Sequence, residues 1–526
     1  MNGFTTRSGT VRGGPAGRPG IVALRGIPYA APPFGAARFR APRPAAPWAG
    51  VRDCTRFGPV APQSARLPGA PGWTAGDEDV LTLNIWTPGT EGDALPVLVW
   101  IHGGAFAYGS SAQPDFDGTA LAALGLVVVT LNYRLGFEGF GHVPPPAGGG
   151  EPCPNNRGLL DQIAALTWVR DNIAAFGGSA RDVTVAGQSA GATSVACLTV
   201  MERARGLFRR AVLHSAVNAC ATVRSAAATT AEVAAAAGTP ATHEALLQVP
   251  PAVLVAASDT VAARYRDDPG SGPRHYDPVV HGPVAGGDTL PLDPLTAYEA
   301  GAGAGVDLLV CHTTEEYWLL DAVGDSVEIT TDSGLDAFAA DFGLPKTLLD
   351  DYRALLPGAP AGEVHLAVHG DLLFAEYSSR LADAHARAGG RTHLARFARR
   401  RGGRGQPVRA WHCADVPFAF GTLDRADVHF LIGGEPGTAD HALAERMTRA
   451  WAGFAATGDP GWPRLRADGE GEVRIWDTDG EGEVRNRDTD GNGEVRNRDT
   501  GGGGVPGKRD AFRAPWRKAG LPLMEP

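Results

Sequence analysis

The stretch that most narrows the fold is 182–200, DVTVAGQSAGATSVACLTV. It opens with a short β-branched run, passes through one serine among very small residues, and continues into an apolar, alanine-containing run. One reading makes Ser189 a plain helix N-cap. The other makes the first run a strand that delivers a nucleophile on a turn too tight for bulk. Gly187-Gln188-Ser189-Ala190-Gly191 has the Gly-x-Ser-x-Gly spacing of a nucleophile elbow. Such a strand-to-helix turn has strained backbone angles and packs closely on its surroundings, so its small residues have a reason to be small. The helix that follows sets partial positive charge beside a developing oxyanion.

The surrounding chain alternates in the same way. VLVWI (97–101), LVVVTLNY (126–133), RRAVLHS (209–215), VDLLVCH (306–312) and THLARFA (392–398) read as buried strands. LLDQIAALTWVRDNIAAFG (159–177), 371–388 and 439–456 carry apolar residues at helical spacing. Strands alternating with helices predict an α/β fold with a large, twisted, mostly parallel central sheet flanked by helices. The length prior suggests about three domains, yet α/β enzymes often exceed it. A single domain over 1–526 is therefore expected.

Charge and cysteine usage remove other classes. Fifty-eight acidic against forty-eight basic residues give a net charge of −10, with no basic stripe for nucleic acid. No run of about 18 apolar residues occurs, so no membrane span is expected. The N-terminus lacks the apolar core of a secretory signal. The six cysteines have no CxxC spacing and read as reduced thiols. Without HExxH, Walker or flanked GxGxxG patterns, neither metal nor nucleotide cofactor is expected.

A serine hydroxyl needs a base, usually an oriented histidine, and amide donors for the oxyanion. WIHGGAFAYGS (100–110) follows a strand and is similar to the HGGG-type oxyanion loop, against the plainer reading of a glycine-rich turn. Its donors would be the N–H groups of Gly104 and Ala105, joined by that of Ala190.

With these segments in view, the chain resembles the type-B carboxylesterases, the carboxylesterase/cholinesterase group of α/β-hydrolases. The resemblance rests on LRGIPYAAPPFGAARFRAP (24–42), DEDVLTLNIWTP (77–88), NYRLGF (132–137), NRGLLDQIAALTWVRDNIAAFGG (156–178), the serine elbow and FAATGDPGWP (454–463). It implies Glu316 as the acid, in CHTTEEYWLL (311–320), with Glu315 as the alternative. It implies His412 as the base, in WHCADVPFAF (411–420), with His214 and His312 as rivals and His102 as structural. The order Ser189, Glu316, His412 is that of the superfamily. The implied activity is hydrolysis of small-molecule carboxylic esters through an acyl-enzyme. The alternatives are an amidase or carbamate hydrolase on the same site, and a non-catalytic cholinesterase-like binding module. Two ion pairs are also implied, Arg38 with Glu78 and Arg134 with Asp161.

Departures accompany the resemblance. Ala61 and Val80 stand where secreted relatives carry a disulfide, which favours a cytoplasmic location. Gln188 stands where the family often has Glu, removing a charge beside the nucleophile. Finally, GEGEVRIWDTD (469–479), GEGEVRNRDTD (480–490) and GNGEVRNRDTG (491–501) form a tandem repeat. Calcium ligation is one reading, but the twelve-residue loop with a terminal Glu is missing. Only the first unit carries an apolar pair, Ile475–Trp476, so a solvated surface insertion at 469–501 is expected.

Overall fold

The computed structural model describes residues 3–64, 72–151, 153–277, 279–401, 408–468, 471–478, 484–486 and 512–523. Its centre is an eleven-stranded sheet. In chain order the strands are β1 (Gly14–Pro15), β2 (Val22–Pro28), β3 (Thr82–Thr87), β4 (Leu95–Ile101), β5 (Val127–Leu131) and β6 (Gly178–Gln188), followed by β7 (Arg210–His214), β8 (Asp307–Thr313), β9 (Thr392–Phe397), β10 (Glu472–Trp476) and β11 (Val484–Asn486). Their spatial order is β11-β10-β9-β8-β7-β6-β4-β5-β3-β2-β1. The block from β5 to β10 is parallel throughout. Antiparallel pairings close both ends.

The central strands are continuous apolar runs because both faces are covered. Every residue of β5, β7, β8 and β9 is buried. Helices α1 (Arg157–Asn172), α2 (Ala190–Val200), α3 (Glu376–Arg387) and α4 (Thr438–Thr457) are the main covering elements used below. Two large apolar clusters result, with Val99 and Val129 in one and Leu98 and Trp100 in the other. Among the described residues, no helix is long and apolar enough to cross a membrane.

Three expectations need correction. The helix anticipated over 371–388 begins as a π-helical turn, Asp371–Ala375, and becomes α-helical only in α3. Arg38 pairs with Glu138 at 2.6 Å, not with Glu78, which is exposed. Arg134 does meet Asp161, through two hydrogen bonds of 2.7 and 2.8 Å in a fully buried pair. The repeat region is also more than a surface insertion. The first unit supplies β10, a parallel neighbour of β9, with Val473 and Trp476 buried. The second supplies β11, antiparallel to β10. The third unit, 491–501, lies outside the described residues.

Candidate active site

β6 ends at Gln188 and α2 starts at Ala190, so Ser189 alone makes the turn. Its φ and ψ are 56° and −125°, a region L-residues rarely occupy. Two bonds hold it there: Ser189 N–H donates to the His214 carbonyl at 2.8 Å, and its own carbonyl accepts from Thr193 N–H at 3.0 Å. The small neighbours are a steric requirement. A Cβ on Gly191 would sit 2.1 Å from the Ile101 carbonyl oxygen, and one on Gly187 would sit 2.5 Å from Gly191 backbone. The elbow is thus wedged against the end of β4.

The segment leaving β4 lies over the serine. A Cβ on Gly103 would come within 3.1 Å of Ser189 Cβ, and one on Gly104 within 1.9 Å of the Tyr108 carbonyl oxygen. Gly104 and Ala105 both have positive φ, 113° and 50°. Among the described residues, none accepts a hydrogen bond from either N–H. Ala190 opens α2, so its N–H has no acceptor within the helix. Among the described residues, these three backbone N–H groups near the elbow have no hydrogen-bond acceptor.

The acid and the base are carried on the segments that follow two neighbouring strands, β8 and β9. Glu316 follows β8, and its Oε1 accepts from Thr313 N–H and from the Ser215 hydroxyl, both at 2.7 Å. Its Oε2 lies 2.6 Å from His412 Nδ1, and its carbonyl accepts from His412 N–H at 3.1 Å. In the neutral ring those contacts fix the tautomer: Nδ1 carries the proton, and Nε2 is left as acceptor. Nε2 lies 2.9 Å from the side-chain nitrogen of Gln188. Phe374, carried by the π-helical turn, packs on the imidazole with ring centroids 4.2 Å apart.

Each rival residue is otherwise engaged. Glu315 is bound by Arg400, by Arg409 at 3.0 Å and by Ala410 N–H at 3.1 Å. His214 gives Nδ1 to Asp415 at 2.6 Å and accepts the Trp451 indole N–H on Nε2 at 2.7 Å. That hydrogen-bonded core group also brings Cys311 close. His312 bonds its neighbour's carbonyl and Ser379. His102 is buried against Tyr133, and burial holds it down to about 4, so it stays neutral.

Burial also works against charge on His412. The Cys413 sulfur and the Glu316 carboxylate outweigh it, however, and hold the imidazole above its ordinary value. Burial pushes the Cys413 thiol up in turn, against the pull of the neighbouring imidazole. The sequence reading missed the groups that hold this site: Ser215 and Thr313 on Glu316, and Gln188, Cys413 and Phe374 around His412. Gln188 alone gave a signal, as a departure from Glu at the elbow.

Residues 2–347 match the carboxylesterase family. A para-nitrobenzyl esterase of Bacillus subtilis (strain 168) is 36% identical over 473 residues, 87% of this chain and 91% of the relative. A phenmedipham hydrolase of Pseudarthrobacter oxydans is 35% identical over 489 residues, covering 85% and 90%. Among solved structures, a thermophilic para-nitrobenzyl esterase superposes with a TM-score of 0.79 at 33% identity, covering 92% of this chain and 97% of that one. A Geobacillus stearothermophilus carboxylesterase gives 0.77 at 34% identity, covering 92% and 98%. With the α/β-hydrolase architecture, the elbow geometry and relatives of this identity and coverage together, the chain belongs to the carboxylesterase family and is a carboxylic ester hydrolase.

Proposed function

We propose that Ser189, His412 and Glu316 are the catalytic triad of this carboxylesterase, with Gly104, Ala105 and Ala190 as its oxyanion donors. The observation that carries this reading is the 2.6 Å bond from Glu316 to His412 Nδ1, which leaves Nε2 as an acceptor beside the elbow. His412 takes the Ser189 proton as Oγ attacks the ester carbonyl. Glu316 steadies the imidazolium. The three N–H groups receive the charge on the tetrahedral oxygen. His412 then returns the proton to the leaving alcohol, and water repeats the sequence on the acyl-enzyme.

No metal or cofactor enters this mechanism. The relatives' names, a para-nitrobenzyl esterase and a phenmedipham hydrolase, support para-nitrobenzyl esters and phenmedipham as first substrates to try. A cytoplasmic location fits the six cysteines, none of which is joined to another in the structure.

The test is Ser189→Ala, His412→Ala and Glu316→Gln, assayed on a para-nitrobenzyl ester panel. Each should lose on the order of 10⁴ or more in kcat/KM with the fold intact. Glu315→Gln should keep most activity and lose stability instead, by roughly 1–3 kcal/mol, because it abandons the arginines and the amide it now binds. A folded Ser189→Ala protein with near-normal turnover would end the reading. Loss of activity in Glu315→Gln with retention in Glu316→Gln would move the acid by one residue.

A further inference from the structure

Gln188 occupies a place that an elbow residue has no general need to fill. It is 6% exposed, and its side chain lies directly over Gly103, where a Cβ would meet Gln188 Oε1 at 2.5 Å. The absence of a side chain at 103 therefore makes room for this amide. Its nitrogen reaches two groups, His412 Nε2 at 2.9 Å and Cys413 Sγ at 3.0 Å. In the neutral ring, with Nδ1–H committed to Glu316, Nε2 accepts and the amide N–H is the donor. An imidazole nitrogen has one in-plane lone pair. The pair that must take the serine proton is thus already engaged. Consistent with this, Ser189 Oγ has no hydrogen-bond partner among the described residues.

On the assignment of His412 as base, we infer that Gln188 is a positioning residue that caps the Nε2 lone pair in the free enzyme and yields it to Ser189 when an ester binds. In the free enzyme the cap meets the neutral ring at a fixed angle between Glu316 and Cys413. In the complex, Ser189 O–H replaces the amide on Nε2. Once the proton has crossed, Nε2–H and the amide N–H are two donors face to face. The amide cannot re-engage until the proton has moved on to the leaving alcohol.

The electrostatic surroundings of the ring leave this effect visible. Glu316 faces it from the turn after β8, and Cys413 adjoins it on its own segment. Asp415 on that segment and Asp115 from the loop after β4 act on Cys413. Asp371, at the start of the π-helical turn, interacts with Glu316. None of these groups changes when Gln188 does.

The acid limb of kcat/KM reports the free enzyme, and that of kcat reports the complex. Removing a donor that favours the neutral ring raises its proton affinity. A neutral hydrogen bond of ordinary strength corresponds to about half a pH unit to one unit. Gln188→Met should therefore raise the acid limb of kcat/KM by that amount and leave the acid limb of kcat where it was. Gln188→Glu, which sets a carboxylate beside the ring in both states, should raise both limbs. Fold is checked by thermal melting, and if the Met variant does not fold, the Glu variant carries the test on kcat/KM. A kcat/KM limb that ignores either folded variant, or a Met variant whose two limbs move equally, overturns the inference while leaving the triad intact. An unsubstituted enzyme with no acid limb at all would overturn His412 as base, and this inference with it.

Discussion

Gly191→Ala sets two ordinary effects against each other and lets the structure decide the sign. Gly191 is the second residue of α2 and does not have a positive φ. By helix propensity alone, alanine there should stabilise by about 1 kcal/mol. The site forbids it: the new methyl would stand 2.1 Å from the Ile101 carbonyl oxygen and 2.7 Å from that of His102. Both obstacles are backbone, so no side chain can rotate away. Relief requires the elbow and the end of β4 to separate by roughly 1 Å, a displacement that can cost about 10²-fold in rate when it misplaces reacting groups. Overpacking of this kind costs typically 1–3 kcal/mol, more where the backbone must move. The clash therefore exceeds the propensity gain. We expect a lower melting temperature and at least about a hundredfold loss in kcat/KM. Gly305→Ala is the control, because a Cβ there meets nothing within 4 Å and its φ is not positive. Both variants would be compared by calorimetry and by hydrolysis of a para-nitrobenzyl ester. A Gly191→Ala enzyme as stable and as active as the Gly305→Ala control would refute the argument that close packing at the elbow dictates glycine.

Because His412 must be neutral to act and is held above its ordinary value, hydrolysis should rise with pH through an apparent pKa above about 6.5; a rate flat from pH 5 to 8 would contradict this. Burial depresses His102, His281 and His365 to about 4, 3 and 4, so the stability tied to their neutral forms is present above about 6.5 and is lost as pH falls below it. Urea midpoints should accordingly drop between pH 7 and 5, each histidine contributing on the order of 1–2 kcal/mol by pH 5. Trp476→Ala removes a side chain buried against Trp451 and Trp462 and should cost about 3–5 kcal/mol in denaturant unfolding. Among the described residues, deleting 480–501 takes away β11 at the sheet's edge, and turnover should survive with a small change in melting temperature, with or without calcium.

What the sequence made legible follows from burial. β4, β5, β7, β8 and β9 could be read because covering both faces of a parallel sheet demands unbroken apolar runs, and those runs are visible one residue at a time. β3 did not announce itself as a strand, since Asn84 interrupts the pattern. In the structure that residue is fully buried, its amide spent on Gly26, Ser111 and Thr130, partners that no local pattern connects. The Arg38 pair failed for the same reason: the resemblance points to Glu78, and only the packing of the short helix after β5, Gly136–Phe140, places Glu138 inside and leaves Glu78 outside. The π-helical turn was invisible because apolar spacing does not tell one extra residue per turn from a regular helix, yet that residue helps bring Phe374 onto His412.

The repeats argue the point from the other side. Three near-identical units look equivalent as text, but a sheet has an inside and an edge. The unit with Ile475–Trp476 could fill the position beside β9 and bury its tryptophan, and the next pairs with that strand from the rim through 484–486. Identity of sequence therefore did not mean identity of role. The apolar pair that sets the first copy apart includes the tryptophan buried beside β9, just as the residue in which this elbow departs from its family, Gln188, is the one that meets Nε2 of His412.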